Sequence, residues 1–143
     1  MKYKNYSFAI NSFNQAVNII ITCQKRKIFP IIYIKYFMIS GFGPDWIKEF
    51  NNLLEKKFSK KKFKLFIDCK KNYALFINLV EQRIDYLKVD AKKETYKKLN
   101  QIAKKNKVLI NPKFSVLDFS KIKNIDLKLE RTFLKWFLKL IMV

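Results

Sequence analysis

Apolar residues in the second half of the chain follow two alternating patterns. Short runs of β-branched and aromatic residues predict strands at Lys64–Asp68, Tyr86–Val89 and Val108–Ile110. Between these runs, apolar residues recur every three or four positions, which predicts helices at Asn72–Gln82 and Lys92–Lys105. Because strands and helices follow each other at nearly constant spacing, the crossovers should be right-handed and the sheet largely parallel.

The first half of the chain continues this strand–helix order. Tyr6–Ile10 suits a short strand, and Ser12 begins an S-x-x-Q capping box that should start a helix. A second strand is predicted over Ile31–Phe37, where β-branched and aromatic residues dominate. Glycines then interrupt the pattern, and Pro44 occupies a favourable first position for the next helix. The whole chain is therefore expected to hold five strands.

The chain from Asp126 onward predicts one more helix with a broad apolar face. The face is wider than a surface helix of a monomer needs, so the helix should dock on its own domain. Apolar surface left over would favour a homo-oligomer or a larger complex. The face consists of Leu129, Phe133, Trp136, Phe137, Leu140 and Ile141.

Together these elements predict an α/β fold, with a small, mostly parallel sheet of about five strands, helices between them and a C-terminal helix. Five strands are too few to close an eight-stranded barrel, so we expect a half-barrel-like or flavodoxin-like sheet. The 143 residues match the size of one ordinary domain. We therefore expect a single domain over residues 1–143, with residues 126–143 as its docking helix.

A short repeat follows three of the predicted strands. Each strand is followed by Asp or Asn, at Asp68, Asp90 and Asn111, with spacings of 22 and 21 residues. A lysine stands two positions beyond each of them, and Asn11 ends the first strand in a similar way. Because the carboxyl ends of parallel strands meet at one edge of a sheet, these polar side chains should form a common rim there.

The stretch from Lys64 to Asn111 also carries a resemblance to known proteins. The strand end Ile67-Asp68-Cys69 precedes a helix containing Ala74-Leu75, and Arg83 leads into the next strand. In these features the chain resembles a group of small uncharacterised α/β proteins of alphaproteobacteria, although their typical glycine after the cysteine is Lys70 here. The resemblance covers about a third of the chain. It implies a fold of strand–helix repeats and no particular activity.

The charge of the chain favours an anionic partner. Lysine and arginine number 31 against 11 acidic residues, which gives a formal net charge of +20. RNA, DNA or an acidic membrane surface would attract such a chain. However, only three basic residues are arginine, and the abundance of Lys, Asn, Ile, Phe and Tyr also fits a genome of low G+C content. The lysine excess is therefore an ambiguous sign of nucleic-acid binding.

The residue types that are rare or absent limit the kinds of catalysis and metal binding that the chain can support. The chain has no histidine, which excludes histidine-based nucleophilic catalysis and imidazole metal ligands. Its two cysteines form no C-x-x-C pair, so we expect buried or free thiols, no metal site and no cofactor. The most apolar run, Ile28 to Phe42, has 15 residues and falls short of the roughly 20 that cross a bilayer. We expect no transmembrane segment and a cytoplasmic location.

The rim at the carboxyl ends of the strands is the candidate site. Asp and Asn are also preferred helix caps and turn formers, so local structure alone would explain the repeat. If the rim binds a ligand instead, its lysines require that ligand to be anionic. The candidate ligand-binding residues are Asn11, Asp68, Lys70, Asp90, Lys92 and Asn111, with Lys71 and Lys113 beside them.

Three functions fit these residues. The leading hypothesis is a non-catalytic domain that binds an anionic partner at the rim, either a phosphorylated small molecule or RNA. The second is a small lyase- or aldolase-like enzyme, in which Lys88 forms a Schiff base and Asp90 or Asp68 transfers protons. The third is a subunit of a larger assembly such as a ribonucleoprotein, held through the C-terminal helix.

Overall fold

The computed structural model of the chain describes residues 6–59 and 62–141, which form six strands and six helices. In chain order these elements are β1 (Tyr6–Ala9), α1 (Phe13–Lys25), β2 (Ile31–Ile34), α2 (Tyr36–Phe42), α3 (Pro44–Phe58), β3 (Lys64–Asp68), α4 (Tyr73–Glu81), β4 (Tyr86–Lys88), α5 (Lys93–Lys105), β5 (Leu109–Ile110), β6 (Ser115–Asp118) and α6 (Ile125–Ile141).

The strands form one sheet in the order β5-β4-β3-β2-β1-β6, and every neighbouring pair is parallel. The predicted α/β fold with a parallel sheet and a C-terminal helix is confirmed, with six strands instead of about five. The additional strand is β6. It lies at one edge of the sheet with Ser115 and Val116 exposed, so its sequence lacks the apolar run that marks the inner strands.

The predicted second strand is too long. It ends at Ile34, and the aromatic residues Tyr36 and Phe37 begin α2 instead. The residue types favour a strand, but packing decides against it, because Met38 and Ile39 are buried while Phe37 points outward. Gly43, with a φ of +85°, separates α2 from α3 in a conformation that glycine adopts without strain.

The two faces of the sheet have different coverings. On one face, alternate strand residues such as Phe8, Ile32 and Ile67 pack into a single core with buried residues from all six helices. On the other face, a separate cluster contains Tyr33 and Phe66 and includes no helical residue. All the helices of the described chain therefore lie on one side, and we call the other side the helix-free face.

The connection between β5 and β6 shows that the sheet is curled. Residues 111–114 must lead from one edge of the sheet to the other, because β5 pairs with β4 and β6 pairs with β1. A flat sheet of six strands would separate these edges by about 24 Å. The chain from Ile110 to Ser115 reaches at most about 17 Å. The edges must therefore approach each other, which makes the sheet half-barrel-like with the helix-free face inside.

The C-terminal helix packs against the first helix. Ile125, Leu129 and Phe133 are buried in the main core. Arg26 forms an ion pair of 2.9 Å with Glu130, and Thr22 donates a hydrogen bond to Asp126. The side chains of Trp136, Phe137, Leu140 and Ile141, which belong to the predicted apolar face, lie outside the described residues.

No helix within residues 6–59 and 62–141 has both the length and the apolar character required to cross a membrane.

Replacing Leu129 by alanine tests the docking of α6. Leu129 is fully buried, so Leu129→Ala should lower the free energy of unfolding by about 2–5 kcal/mol in urea titrations. Leu134 lies on the same helix with 57% of its surface exposed, and Leu134→Ala is the matched control, with a change within about 0.5 kcal/mol. Equal effects of the two variants would contradict the packing of α6 on the core.

Candidate functional site

The helix-free face contains a groove of about 930 Å³ at the carboxyl ends of the strands. Residues from β2, β3, β4 and β6 contribute to it, so the curl of the sheet forms its walls. Aromatic side chains and the buried Asp68 lie at the bottom, and exposed charged side chains surround the opening. The aromatic residues are Tyr33, Tyr36, Phe66 and Phe114, and the charged residues are Asp68, Lys70, Lys71, Lys88 and Asp90.

Three of the aromatic residues that line the groove pack on one another and on Tyr86, which lies outside the lining. We call these four rings the aromatic floor: Tyr33, Phe66, Phe114 and Tyr86. The ring of Phe66 meets Tyr33 at 5.0 Å and Phe114 at 5.7 Å, with interplanar angles of 68° and 84°. Tyr86 meets Phe114 at 4.8 Å and 88°. These edge-to-face contacts hold the connection after β5 against the sheet and close the groove from below.

Asp68 is a buried carboxylate beside this floor. It ends β3 and has only 8% of its surface exposed. The Tyr33 hydroxyl donates to its Oδ2 at 3.2 Å, and the backbone N–H of Lys70 donates to its Oδ1 at 2.9 Å. Burial, followed by the charge of Asp68 and this hydrogen bond, raises the pKa of Tyr33 above its ordinary value. Tyr33 therefore stays protonated at neutral pH and acts as the donor to Asp68.

Lys88 is the cross-strand partner of Asp68. The β3–β4 register places the two residues side by side, both on the helix-free face. Lys88 is exposed and forms no ion pair with Asp68. The ion pairs found among the described residues are Arg26–Glu130 and Lys35–Asp118, so the three groove lysines Lys70, Lys71 and Lys88 have no carboxylate partner there.

Asn111 shapes the wall of the groove. Its side chain accepts a hydrogen bond of 2.8 Å from the N–H of Val89 and donates one of 3.0 Å to the carbonyl of the same residue. The residue has a φ of +49°, a left-handed conformation that asparagine tolerates better than most residues. Both polar atoms of the amide are thus hydrogen-bonded to the backbone of Val89, which follows β4.

The predicted rim residues divide into two groups. Asp68, Lys70, Asp90 and Asn111 all line the groove, as do Lys71 and the catalytic candidate Lys88. Asn11 does not, because its side chain donates to the carbonyl of Ser120 across β1 and β6. Lys92 is an exposed residue just before α5, and it and Lys113 lie outside the groove lining.

Sequence reasoning missed the aromatic floor. Tyr33 and Phe66 alternate with the core residues Ile32, Ile34 and Ile67, so strand periodicity could have assigned them to the opposite face. Nothing in the sequence assigns Phe114 to the same cluster. Its contact with Phe66 depends on the path of residues 111–114 across the sheet.

A cluster of polar side chains connects the end of β6 to the end of β2 beside the groove. The Lys35 ammonium lies 2.6 Å from Asp118 Oδ2 and 3.2 Å from Ser120 Oγ. The hydroxyl and backbone N–H of Ser120 donate to Asp118 Oδ1 at 2.6 and 3.0 Å. The hydrogen bonds from Lys35 and Ser120 lower the pKa of Asp118 to about 2. Lys35 thus joins the end of β2 to the end of β6.

The two thiols have little nucleophilic character. Cys69 follows Asp68 directly but is fully buried in the core, and burial raises its pKa to about 12. Burial also raises the pKa of Cys23 to about 12. Because the thiolate is the reactive form, neither cysteine is suited to nucleophilic catalysis at neutral pH.

Comparisons with known proteins leave the groove as the main guide to function. No protein-family model matches the chain, and no curated protein matches it. The resemblance to small alphaproteobacterial proteins therefore stays a prediction. In the part of the chain that the structure describes, no group of three or more cysteine, aspartate or glutamate residues is placed to hold a metal ion.

The Lys35–Asp118 pair should make stability depend on acid pH. The pKa of Asp118 is about 2 in the folded chain and 3.8 when unperturbed, so its stabilising effect is present above about pH 4 and lost as the pH falls towards 2. Lys35→Gln should therefore destabilise the protein at pH 6 and have a smaller effect at pH 2.5, measured by urea unfolding. Lys98→Gln, on the exposed surface of α5, is the control. A Lys35→Gln effect that is the same at both pH values would contradict this account.

Proposed function

We propose that this protein binds a small phosphorylated molecule in the groove. The observation that carries the proposal is the presence of three lysines without carboxylate partners, Lys70, Lys71 and Lys88, around an aromatic floor. The volume of about 930 Å³ lies within the range of about 300–1,000 Å³ typical of small-molecule sites. Ligands of parallel α/β sheets also commonly bind beyond the carboxyl ends of the strands, where this groove opens.

The charges of the groove favour a phosphate over a neutral ligand. Lys70 and Lys71 lie in the turn before α4, and Lys88 lies on the neighbouring strand β4. Each ammonium group offers three hydrogen-bond donors, and a phosphate monoester offers several acceptor oxygens with up to two negative charges. The lysines outnumber the two groove carboxylates, Asp68 and Asp90, so an anion compensates the remaining positive charge.

The aromatic residues support a small molecule in preference to RNA. Proteins that bind single-stranded RNA stack bases on exposed aromatic faces. Here Tyr33 and Phe66 are only 7% and 2% exposed and form the bottom of a concave groove. Many other lysines lie on the exposed side of α5, which fits a diffuse positive surface better than a nucleic-acid track.

A small lyase-like enzyme is the second candidate, because Lys88 and the buried Asp68 are cross-strand partners in the groove. This arrangement supports Asp68 over the exposed Asp90 as the proton-transferring residue of such an enzyme. A cytoplasmic location, and assembly through the C-terminal helix, stay predictions of the sequence.

A charge-matched pair of variants tests the binding proposal. Isothermal titration with ribose 5-phosphate, AMP and phenyl phosphate should show binding of at least one of them to the natural protein. The triple variant Lys70→Gln, Lys71→Gln, Lys88→Gln should weaken that binding by about tenfold or more, because each lysine removed takes a charge-assisted hydrogen bond with it. The control is Lys93→Gln, Lys97→Gln, Lys98→Gln on α5, which removes the same charge outside the groove.

Two results would refute the proposal. One is that none of the three phosphates binds. The other is that both triple variants weaken binding equally, which would show attraction to net charge alone. Titration with single-stranded RNA at 200 mM salt completes the comparison, because non-specific electrostatic binding is nearly lost under those conditions. RNA binding that persists there and depends on the groove lysines would favour RNA as the partner.

A further inference from the structure

The carboxylate of Asp68 limits which part of a ligand can reach the bottom of the groove. An ionised carboxylate only accepts hydrogen bonds and has about four positions for them. Tyr33 and the backbone of Lys70 occupy one position on each oxygen. Because Asp68 lines the groove, the positions that are left favour a ligand group that donates hydrogen bonds. A phosphate placed there would meet a like charge and would be repelled.

The opening and the bottom of the groove therefore require opposite kinds of ligand group. Its opening carries Lys70, Lys71 and Lys88, which require an acceptor with negative charge. The buried Asp68 requires a donor. A ligand that satisfies both needs an anionic group at one end and hydroxyl or amino groups at the other. A simple inorganic anion satisfies only the first condition.

The aromatic floor indicates what lies between these two ends. Its rings meet edge to face, with interplanar angles of 68°, 84° and 88°. None of these contacting pairs is parallel, so no neighbouring pair of rings offers a slot in which a flat nucleobase could be sandwiched. Among the floor rings that line the groove, only Phe114 is partly exposed, and a single partly exposed ring suits the C–H surface of a sugar ring, whose hydroxyls point sideways towards polar neighbours.

From these three features we infer that the ligand is a phosphorylated polyhydroxy compound of the sugar-phosphate class. Its hydroxyl groups donate to Asp68, its C–H surface packs on the aromatic floor and its phosphate lies between the groove lysines. This inference rests on the proposed function and adds the chemical class of the ligand. It makes Asp68 the residue that selects a hydroxyl-bearing phosphate over one without hydroxyls.

Titrations with three probes and two variants test the inference. Ribose 5-phosphate should bind to the natural protein about tenfold or more tightly than phenyl phosphate or inorganic phosphate, because only ribose 5-phosphate offers sugar hydroxyls. Asp68→Asn should remove most of that preference while leaving the affinity for phenyl phosphate unchanged or higher. The amide keeps an oxygen that can accept from Lys70, and thermal unfolding checks that the variant is folded.

Asp90→Asn is the matched control, because it removes the same charge from the exposed opening of the groove. It should keep the preference for ribose 5-phosphate. The inference is overturned if the natural protein binds phenyl phosphate as tightly as ribose 5-phosphate, or if Asp68→Asn and Asp90→Asn have the same effect. In those cases, weaker binding by the lysine triple variant than by the natural protein still supports phosphate binding in the groove. Loss of the proposed function itself is a different result, in which no probe binds.

Discussion

Parallel strands at opposite edges of a sheet are ordinarily joined by a long crossover, but β5 and β6 are joined by residues 111–114 alone. So short a connection is compatible with the pairing of β6 and β1 only if the sheet curls. The curl brings Val116 of β6 to the same groove as Lys88 of β4. It also places the ring of Phe114 against the ring of Phe66. The connection formed by residues 111–114 therefore both curls the sheet and closes the lower end of the groove.

Because all the described helices pack on one face, the two faces of the sheet serve different purposes. The helical side buries the large aliphatic residues, and fully buried residues such as Ile32, Ile67 and Leu79 belong to it. Stability therefore depends mainly on that side. The inner face can hold the carboxylate of Asp68 and several uncompensated lysines, which would be costly in a close-packed core. The groove can be polar because it is not needed to bury the helices.

Sequence patterns predict the parts of this structure that depend on local order. Periodicity predicts β3, β4, β5 and the helices between them. Asp68 and Asp90 of the repeat lie in one groove because the carboxyl ends of parallel strands share one edge of the sheet. The features that were missed depend on contacts between distant segments. Lys35 and Asp118 are 83 positions apart, and only the position of β6 brings them together. The repeat gives only spacing along the chain, and Lys92, at the start of α5, lies outside the groove lining although it shares that spacing.

The position of β1 between β2 and β6 has a consequence for how the chain folds. The pairs among β2, β3, β4 and β5 join segments close in sequence, so they can form while later residues are still being synthesised. Pairing of β1 with β6 instead brings together segments such as Asn11 and Ser120, which are 109 positions apart. Closing so large a loop costs entropy and slows folding. We therefore expect β6 to be the last strand to join the sheet, and the binding groove to be completed only in that final step.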